Sequence, residues 1–125
     1  FLYIRNFRPD RWPAGDPELY FAVGPFGDCD ASPTKQLILD RRSEPGREEY
    51  FRLCFAKRPA EELYDLKKDP WQLNNVAGRA EYAAAQRQLR ASLERWMKET
   101  EDPRATSDDD RWDKYPYFGQ RARVS

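Results

Sequence analysis

Residues 61–78 constrain the fold more than any other stretch, because they combine a strand pattern, a turn and the approach to a helix. Leucine and tyrosine dominate residues 63–66, which is typical of a short strand. Pro70 fixes its own φ and disfavours helical geometry in the residue before it, so the chain should turn there. Asn74 and Asn75 follow, and asparagine often caps a helix by accepting a hydrogen bond from a backbone N–H. The stretch therefore predicts a strand connected to a helix by a short turn.

The helix predicted after this connector covers residues 79–100. Its apolar side chains recur at helical spacing on one face, while arginine and glutamate fill the other face. The apolar positions are Tyr82, Ala85, Leu89, Leu93, Trp96 and Met97. We expect this face to belong to the core, with Leu89, Leu93 and Trp96 docking on the sheet.

Several further patterns lie upstream of the connector. Residues 2–6 are mostly apolar, β-branched or aromatic and predict a strand. Residues 7–27 form a long loop rich in proline and glycine, which we expect to be ordered by its aromatic anchors: Trp12, Tyr20, Phe21 and Phe26. Ser32 and Pro33 suit the N-cap and the first position of a helix. Residues 47–58 fit both a helical face and strand alternation, and the charges at their two ends favour the helix slightly.

Charge and composition argue against several classes of function. Lys and Arg number 22, and so do Asp and Glu, which argues against general nucleic-acid or membrane-surface binding. No run is long and apolar enough to span a bilayer. The chain has no histidine, which removes the usual general base near neutral pH and the commonest metal ligand. Phe1 in place of an initiator methionine predicts a piece of a longer protein, so the lack of a signal peptide says nothing about the parent.

The connector also carries a family resemblance. Glu62-Leu-Tyr-Asp-Leu, then Asp69-Pro70 and Asn75-Val-Ala, resembles in order and spacing the signature near the C-terminus of sulfatases. Four other segments resemble the heparan N-sulfatase branch (sulfamidase, N-sulfoglucosamine sulfohydrolase), namely residues 3–13, 32–34, 96–103 and 112–119. The resemblance thus covers nearly the whole chain.

This resemblance implies an α+β fold, in which a small antiparallel sheet has a long C-terminal helix packed on it and the loops are long and ordered. Residues 1–103 would be the C-terminal subdomain of a sulfatase, and residues 104–125 would be a tail. The catalytic domain of the same parent chain would be the partner of this segment. Three aromatic residues of the tail would pack on that domain in preference to binding a sugar: Tyr115, Tyr117 and Phe118.

The activity that the resemblance implies is hydrolysis of sulfate from a sulfated carbohydrate, in the periplasm or outside the cell. The family uses calcium and a formylglycine made from Cys or Ser, and the residues responsible lie in the large domain. This segment would then contain no catalytic residue and no metal ligand, and would contribute stability and one wall of the substrate pocket. The alternative is a non-enzymatic module that binds carbohydrate or protein through exposed Trp and Tyr side chains.

The two cysteines match no convincing site. Residues 54–58, Cys-Phe-Ala-Lys-Arg, fit the short formylglycine pattern, but in the family that motif lies near the N-terminus and not directly before the C-terminal signature. We therefore interpret Cys54 as a core residue on an apolar face. Cys29 and Cys54 have no metal-ligand spacing, and we expect two free, partly buried thiols unless the fold brings them together.

The acidic residues of the loops are similarly weak candidates for a metal site. Asp28 and Asp30 have the oxygen ligands that hard cations take, but two carboxylates do not complete a coordination shell. Loop aspartates are common for reasons of turn geometry. We expect these two residues, and the charge run at residues 108–110, to be solvated.

Arg8, Arg11 and Trp12 are the candidate substrate-binding residues. With Arg5, they place three guanidinium groups and one indole ring at close spacing at the start of the long loop. Arginine binds sulfate-like groups through paired N–H donors, and tryptophan can stack on a sugar ring. The alternative is that the arginines pair with loop carboxylates while Trp12 anchors the loop. The sequence leaves both interpretations open.

Overall fold

The structure is a computed structural model that describes residues 1–18, 24–108 and 110–116, with only the main chain described at residues 112 and 113. The described residues form an α+β fold, as predicted, with a small antiparallel sheet and a long helix near the C-terminus. The elements are β1 (Leu2–Arg5), α1 (Pro33–Asp40), α2 (Glu48–Cys54), β2 (Glu61–Tyr64) and α3 (Ala83–Glu99). Short 3₁₀ turns cover Ala80–Tyr82, Pro103–Ala105 and Arg111–Lys114.

The chain divides into two compact units, Phe1–Arg90 and Ala91–Ser125. The first unit contains the sheet, α1, α2 and the first half of α3, and the second contains the rest of α3 and the residues after it. In the second unit the Asp102 carboxylate caps the 3₁₀ turn by accepting a hydrogen bond from the Arg104 N–H at 2.9 Å. None of the described helices is long and apolar enough to cross a membrane.

The two predicted strands pair with each other along their full length. Leu2 lies opposite Tyr64, and Arg5 lies opposite Glu61, in an antiparallel register. Leu63 and Tyr64 are buried. Because a strand is stabilised by burying one or both of its faces, the apolar residues at these positions explain why residues 61–64 form β2.

The connector between β2 and α3 is held by Asn75 in a way that the sequence pattern did not predict. The Asn75 side-chain oxygen accepts hydrogen bonds from the Leu63 and Ala77 N–H groups, each at 2.9 Å. The Val76 N–H donates to the Leu63 carbonyl at 2.8 Å, so the connector extends along β2. The prediction that Asn74 and Asn75 cap the long helix is therefore wrong. Helical geometry begins only at Ala80–Tyr82, because the side chain of Asn75 binds the edge of the strand instead.

The turn predicted at Asp69-Pro70 is confirmed, and the Asp69 side chain closes it. The two carboxylate oxygens of Asp69 accept hydrogen bonds from the Leu73 N–H at 3.1 Å and the Asn74 N–H at 2.8 Å. Gln72 adopts a positive φ of 58° within this turn. Trp71 lies at its tip and is 81% exposed.

The helix start predicted at Ser32-Pro33 is also confirmed. The Ser32 hydroxyl accepts a hydrogen bond from the Lys35 N–H at 3.1 Å, and Pro33 is the first residue of α1. The ambiguous residues 47–58 contain α2, so the helical alternative holds for Glu48–Cys54. Proline suits a first helical turn because its missing N–H has no partner to lose there.

The long helix, α3, confirms the predicted element but not the whole of its predicted core face. Met97 is buried, and Leu89 and Leu93 are partly exposed. Trp96, which we expected to dock on the sheet, is 56% exposed. The prediction that the apolar stripe is core throughout is thus wrong at Trp96. Gln86, a polar residue in the first half of α3, is buried, and its side chain binds the Glu61 carboxylate and the Gly78 N–H.

Candidate functional site

The Arg8–Trp12 segment begins where β1 ends, and Asn6 fixes this point. The Asn6 N–H donates to the Ala60 carbonyl at 2.9 Å, and its side-chain amide donates to the Pro59 carbonyl at 2.7 Å. The same amide donates to the carboxylate of Glu62 at 3.0 Å. The start of the long loop is therefore tied to the residues that precede β2.

Glu62 is a buried carboxylate whose described partners are uncharged. Besides Asn6 it accepts a hydrogen bond from the Tyr64 hydroxyl at 2.6 Å. Burial, followed by this hydrogen bond to a carboxylate, raises the pKa of Tyr64 to about 12. Tyr64 therefore stays a neutral donor across the ordinary pH range, and this keeps the junction of β1 and β2 in place.

Arg8 and Arg11 lie at a tight turn. The Arg11 N–H donates to the Arg8 carbonyl at 3.0 Å. The Arg8 guanidinium lies 3.4 Å from the Asp10 carboxylate, and this hydrogen bond is the main cause that lowers the pKa of Asp10. Part of the alternative interpretation is thus observed, because Arg8 does pair with a loop carboxylate. The exposed ion pair is of a kind that contributes little to stability, so it does not prevent Arg8 from binding another anion.

Trp12 is anchored in the loop, and one face of its ring is covered. Its indole makes an edge-on contact with Phe26, with ring centroids 5.6 Å apart. The Lys57 ammonium lies 5.1 Å from the centroid of the indole, which is the geometry of a cation–π interaction. A sugar ring could therefore not stack on the face that Lys57 covers.

Phe26 is the centre of an aromatic cluster formed by Trp12, Phe26, Phe51 and Phe55. Phe26 is 1% exposed, and its ring centroid lies 5.9 Å from that of Phe51 and 5.1 Å from that of Phe55. Aromatic pairs at such separations are worth about 0.5–1.5 kcal/mol beyond their area burial. The aromatic cluster therefore connects the long loop to α2 and to the residue after that helix.

The two halves of the long loop are paired through their main chains. The Phe26 N–H donates to the Asp16 carbonyl, and the Asp28 N–H donates to the Ala14 carbonyl, each at 3.1 Å. Gly15 lies between these bonds with a φ of 91°, and a Cβ there would meet the Gly27 nitrogen at 3.1 Å. A side chain at Gly15 would thus strain the backbone and crowd the opposite half of the loop.

Lys35 is a buried cation that the sequence analysis did not single out. It is 7% exposed, and its ammonium donates to the Phe26 carbonyl at 2.9 Å and to the Cys29 carbonyl at 2.7 Å. These bonds hold residues 26–29 against the first turn of α1. In the sequence, Lys35 looks like any lysine on the surface of a helix, so no local signal could have identified it.

Beside the aromatic cluster lies an open cleft of ≈1250 Å³, which we call the α1 cleft. Its lining includes aromatic side chains together with charged and amide groups of α1 and the residues after it: Trp12, Phe26, Lys35, Gln36, Arg42 and Phe51. Trp12 is thus the candidate substrate-binding residue that the structure brings to a cavity. Arg8 and Arg11 are not among the residues that line the cleft.

A second polar network joins the sheet to α3 at Glu61, and we call it the Glu61 network. The Glu61 carboxylate accepts hydrogen bonds from the Tyr3 hydroxyl, from Gln86 Nε2 at 3.0 Å, and from Arg90 Nε and Nη2 at 2.6 and 2.5 Å. The hydrogen bonds from Arg90 are the main cause that lowers the pKa of Glu61. Burial, followed by the bond to Glu61, raises the pKa of Tyr3. The network connects the first half of α3 to the sheet, and its groups are committed to one another.

The two cysteines and the loop aspartates do not form a site in the described residues. Cys29 and Cys54 are both free thiols, and Cys29 is partly buried. Cys54 is exposed, so its interpretation as a core residue is wrong: it is the last residue of α2, and the aromatic core is formed by its neighbours Phe51 and Phe55. Within residues 1–18, 24–108 and 110–116, no group of three or more His, Cys, Asp or Glu side chains could hold a metal ion.

The aromatic residues of the tail and of the long loop are described only in part. Tyr115 is exposed. Tyr117 and Phe118 lie outside the described residues, as do Tyr20 and Phe21, and the side chain of Trp112 is not described. The predicted packing of this tail on another domain therefore stays a prediction.

Two curated proteins are similar to parts of this chain. An ulvan-active sulfatase of Formosa agariphila is 35% identical over 98 residues, which cover 78% of this chain and 15% of that protein. An N-acetylglucosamine-6-O-sulfatase of Bacteroides thetaiotaomicron is 46% identical over 41 residues, which cover 33% of this chain and 7% of that protein. No family model matches the chain. No solved structure matches it either.

These matches support the resemblance to sulfatases, over a small part of each relative. The chain spans less than a fifth of the length of either relative, 15% and 7% respectively. Both relatives are sulfatases, although neither is a heparan N-sulfatase. Over the matched residues, therefore, this chain is homologous to part of a sulfatase.

Proposed function

We propose that the chain is the C-terminal part of a sulfatase that hydrolyses sulfate from a sulfated carbohydrate. The observation that carries the proposal is the 35% identity to a sulfatase over 98 residues. The second relative, an N-acetylglucosamine-6-O-sulfatase, supports a sulfated sugar as the substrate class. Within the sulfatases we favour the heparan N-sulfatase branch, because residues 3–13, 32–34, 96–103 and 112–119 resemble it.

In this proposal the chemistry belongs to the catalytic domain of the same parent chain, in the periplasm or outside the cell. The described residues do not fit a calcium ion, since they bring no three candidate ligands together. Cys54 lies at the C-terminal end of a helix, and the chain has no histidine, which is the usual general base near neutral pH. Calcium and formylglycine would therefore be held by the remainder of the parent, and residues 1–125 alone would not turn over a sulfate ester.

The contribution that we assign to this chain is made by the Arg8–Trp12 segment. Loops held on a rigid scaffold are where binding residues tend to lie, and this loop is held by Asn6 at its start and by Phe26 under Trp12. Guanidinium groups bind sulfate-like anions through paired donors. Arg8 and Arg11 would contact the sulfated sugar while Trp12 stacks on its ring.

The test is substitution in the intact parent protein. Charged hydrogen bonds contribute about 1.5–3 kcal/mol, so Arg8→Ala or Arg11→Ala should lower kcat/KM on the sulfated sugar about tenfold or more. Arg95→Ala, which removes an exposed arginine of α3, is the matched control and should leave kcat/KM unchanged. Thermal unfolding of each variant shows whether the loop is still folded.

Asp10→Asn distinguishes substrate binding by Arg8 from bracing of the loop. It breaks the ion pair between Asp10 and Arg8 but leaves the Arg8 side chain itself unchanged. If Arg8 contacts substrate, Asp10→Asn keeps kcat/KM while Arg8→Ala loses it. If Arg8 only braces the loop, both variants lose stability to the same extent and neither lowers kcat/KM, and the assignment is then wrong.

A specific observation favours a second candidate, a non-enzymatic binding module. Trp71 is 81% exposed on a turn that the Asp69 carboxylate closes with hydrogen bonds, and such a side chain can anchor a protein or a sugar. One set of measurements on the parent protein, sulfate-ester hydrolysis and ligand binding, distinguishes the two functions. A parent protein that hydrolyses no sulfate ester, but binds a glycan or protein in a way that Trp71→Ala abolishes, would establish the module instead.

A further inference from the structure

Phe26 adopts a backbone conformation that a phenylalanine rarely takes. Its φ is 54°, in the left-handed region, where the Cβ atom comes too close to the carbonyl oxygen that follows it. Residues keep such a conformation only where the surrounding structure fixes them, and strain of this kind tends to lie at functional sites. The neighbours of Phe26 must therefore hold its main chain in place.

Hydrogen bonds hold the main chain of Phe26 at both its N–H and its carbonyl. The N–H donates to the Asp16 carbonyl at 3.1 Å, and the carbonyl accepts from the Cys29 N–H at 3.1 Å. The same carbonyl accepts from the Lys35 ammonium at 2.9 Å. This last bond is charge-assisted, which makes it stronger than the other two in kind, and a side chain provides it. Substitution of Lys35 can therefore release the conformation of Phe26.

Lys35 is itself fixed by the start of α1. Its N–H donates to the Ser32 hydroxyl at 3.1 Å, and the residue is buried. The ammonium bridges two carbonyls, those of Phe26 and, at 2.7 Å, of Cys29. A buried charge is costly unless polar groups bind it, so the ammonium is held where these two carbonyls meet.

The constraint on Phe26 reaches Trp12 through the contact of their rings. The indole lies edge-on to the Phe26 ring, with 79° between the two planes. A change in φ at Phe26 would move its ring relative to the preceding half of the long loop, which carries Trp12. The orientation of the indole therefore depends on the backbone of Phe26.

We propose that Lys35 is a positioning residue, which holds Phe26 in its left-handed conformation and thereby sets the orientation of the Trp12 ring. The proposal rests on the proposed function, in which Trp12 stacks on the sugar of the substrate. Lys35 acts through Trp12 and does not itself contact the substrate. Because a stacking contact of this kind contributes to binding in the ground state and the transition state alike, loss of Lys35 raises KM and leaves kcat nearly unchanged.

Steady-state kinetics of the intact parent protein on its sulfated sugar test this role. Lys35→Met removes the ammonium and keeps most of the length of the side chain. We expect it to lower kcat/KM about threefold to tenfold through a higher KM, which is the range of one aromatic contact. In a Trp12→Ala background the same substitution should have no further effect, since effects transmitted through one residue do not add. Lys98→Met, at an exposed position of α3, is the matched control and should change neither KM nor kcat.

A direct contact between Lys35 and the substrate is the competing explanation, because Lys35 also lines the α1 cleft. The two explanations differ in the Trp12→Ala background. An effect of Lys35→Met on kcat/KM that is equally large there would establish the direct contact and overturn the proposal.

Fluorine NMR of the intact protein, labelled with fluorotryptophan, tests the positioning without an assay of activity. The resonances of Trp12 and Trp71 are assigned by their loss in Trp12→Phe and Trp71→Phe. Lys35→Met should shift or broaden the Trp12 resonance and leave unchanged that of Trp71, which is exposed on a different turn. A Trp12 resonance that does not change would overturn the proposal.

Two further outcomes remain decisive. If Lys35→Met does not fold, Lys35→Arg takes its place, because its bulkier guanidinium should displace the same two carbonyls and change the Trp12 resonance. A resonance that stays unchanged in Lys35→Arg then counts against the proposal in the same way. If the intact protein hydrolyses no sulfate ester, the proposed function fails, while the NMR measurement still decides whether Lys35 positions Trp12.

Discussion

The aromatic cluster and the Glu61 network both hold distant parts of the first unit together, but they do so with opposite chemistry. The aromatic cluster connects the long loop to α2 through rings centred on Phe26, which is almost fully buried. The Glu61 network connects the sheet to α3 through a carboxylate and the Arg90 guanidinium. The first gains its stability from apolar surface removed from water, and the second from charge-assisted hydrogen bonds.

Because of this difference, we expect the stability of the two regions to depend differently on pH. An apolar cluster does not titrate, so the position of Trp12 should be insensitive to pH. The Glu61 network depends on an ionised carboxylate, so the packing of α3 should weaken in acid. Trp12 is thus anchored on uncharged rings, while the Arg8–Asp10 ion pair in the same loop is exposed and contributes little to stability.

The largest effect is expected from Phe26→Ala. Truncating a buried phenylalanine costs about 3–5 kcal/mol, and a small domain has only about 5–15 kcal/mol of stability in total. The variant should therefore come close to unfolding, as measured by chemical denaturation. Phe26→Leu is the matched control, because it keeps most of the buried volume and should cost less. A denaturation midpoint that Phe26→Ala leaves unchanged would show that the aromatic cluster does not hold the loop.

A smaller effect, with a pH dependence, is expected from Glu61→Gln. At neutral pH the substitution replaces the charged acceptor of Arg90, and hydrogen bonds to charged groups contribute about 1.5–3 kcal/mol. The folded-state pKa of Glu61 lies below its ordinary value of 4.5, because Arg90 favours the ionised form. Its contribution is therefore fully present above pH 4.5 and is lost as the pH falls through the lower, folded-state pKa.

The measurement that checks this prediction is the free energy of unfolding of the natural chain and of Glu61→Gln, from pH 7 downward. The difference between the natural chain and Glu61→Gln should be constant above pH 4.5 and should shrink in more acidic solution. Phe26→Leu should show a constant difference over the same range, since no charge changes. If the difference for Glu61→Gln does not shrink in acid, the network does not act through the ionised carboxylate.

Local elements could be predicted from the sequence, because their causes are local. Ser32 caps α1 through the N–H three residues later, and the Asp69-Pro70 turn is closed by bonds to the Leu73 and Asn74 N–H groups. Both patterns lie within one turn of chain. The strands predicted at residues 2–6 and 63–66 and the helix predicted at residues 79–100 were found for the same reason, as Leu2–Arg5, Glu61–Tyr64 and Ala83–Glu99.

Contacts between distant residues could not be predicted in this way. Asn75 was expected to cap a helix, but Leu63, twelve positions earlier, uses its side-chain oxygen. Lys35 and Glu61 look like surface residues in the sequence, and their partners lie on other elements. For the candidate site, the sequence indicated Trp12 as an anchor, which the contact with Phe26 confirms. The α1 cleft beside it arises only from the folded loop.

The smallest effect is expected from Trp96→Ala, a test of whether burial or residue size decides stability. Helical periodicity alone assigns Trp96 to the core, which would make this variant as damaging as Phe26→Ala. The structure instead leaves Trp96 56% exposed, and the hydrogen bond that it receives from the Thr100 N–H uses its main-chain carbonyl, which alanine retains. Substitutions at such surface positions usually change stability within about 0.5 kcal/mol, and alanine favours a helix more than tryptophan does. Met97→Ala, at the buried neighbouring position, should cost about 2–5 kcal/mol. Denaturation midpoints should therefore rank the natural chain and Trp96→Ala together and Met97→Ala well below them, and the reverse ranking would place Trp96 in the core after all.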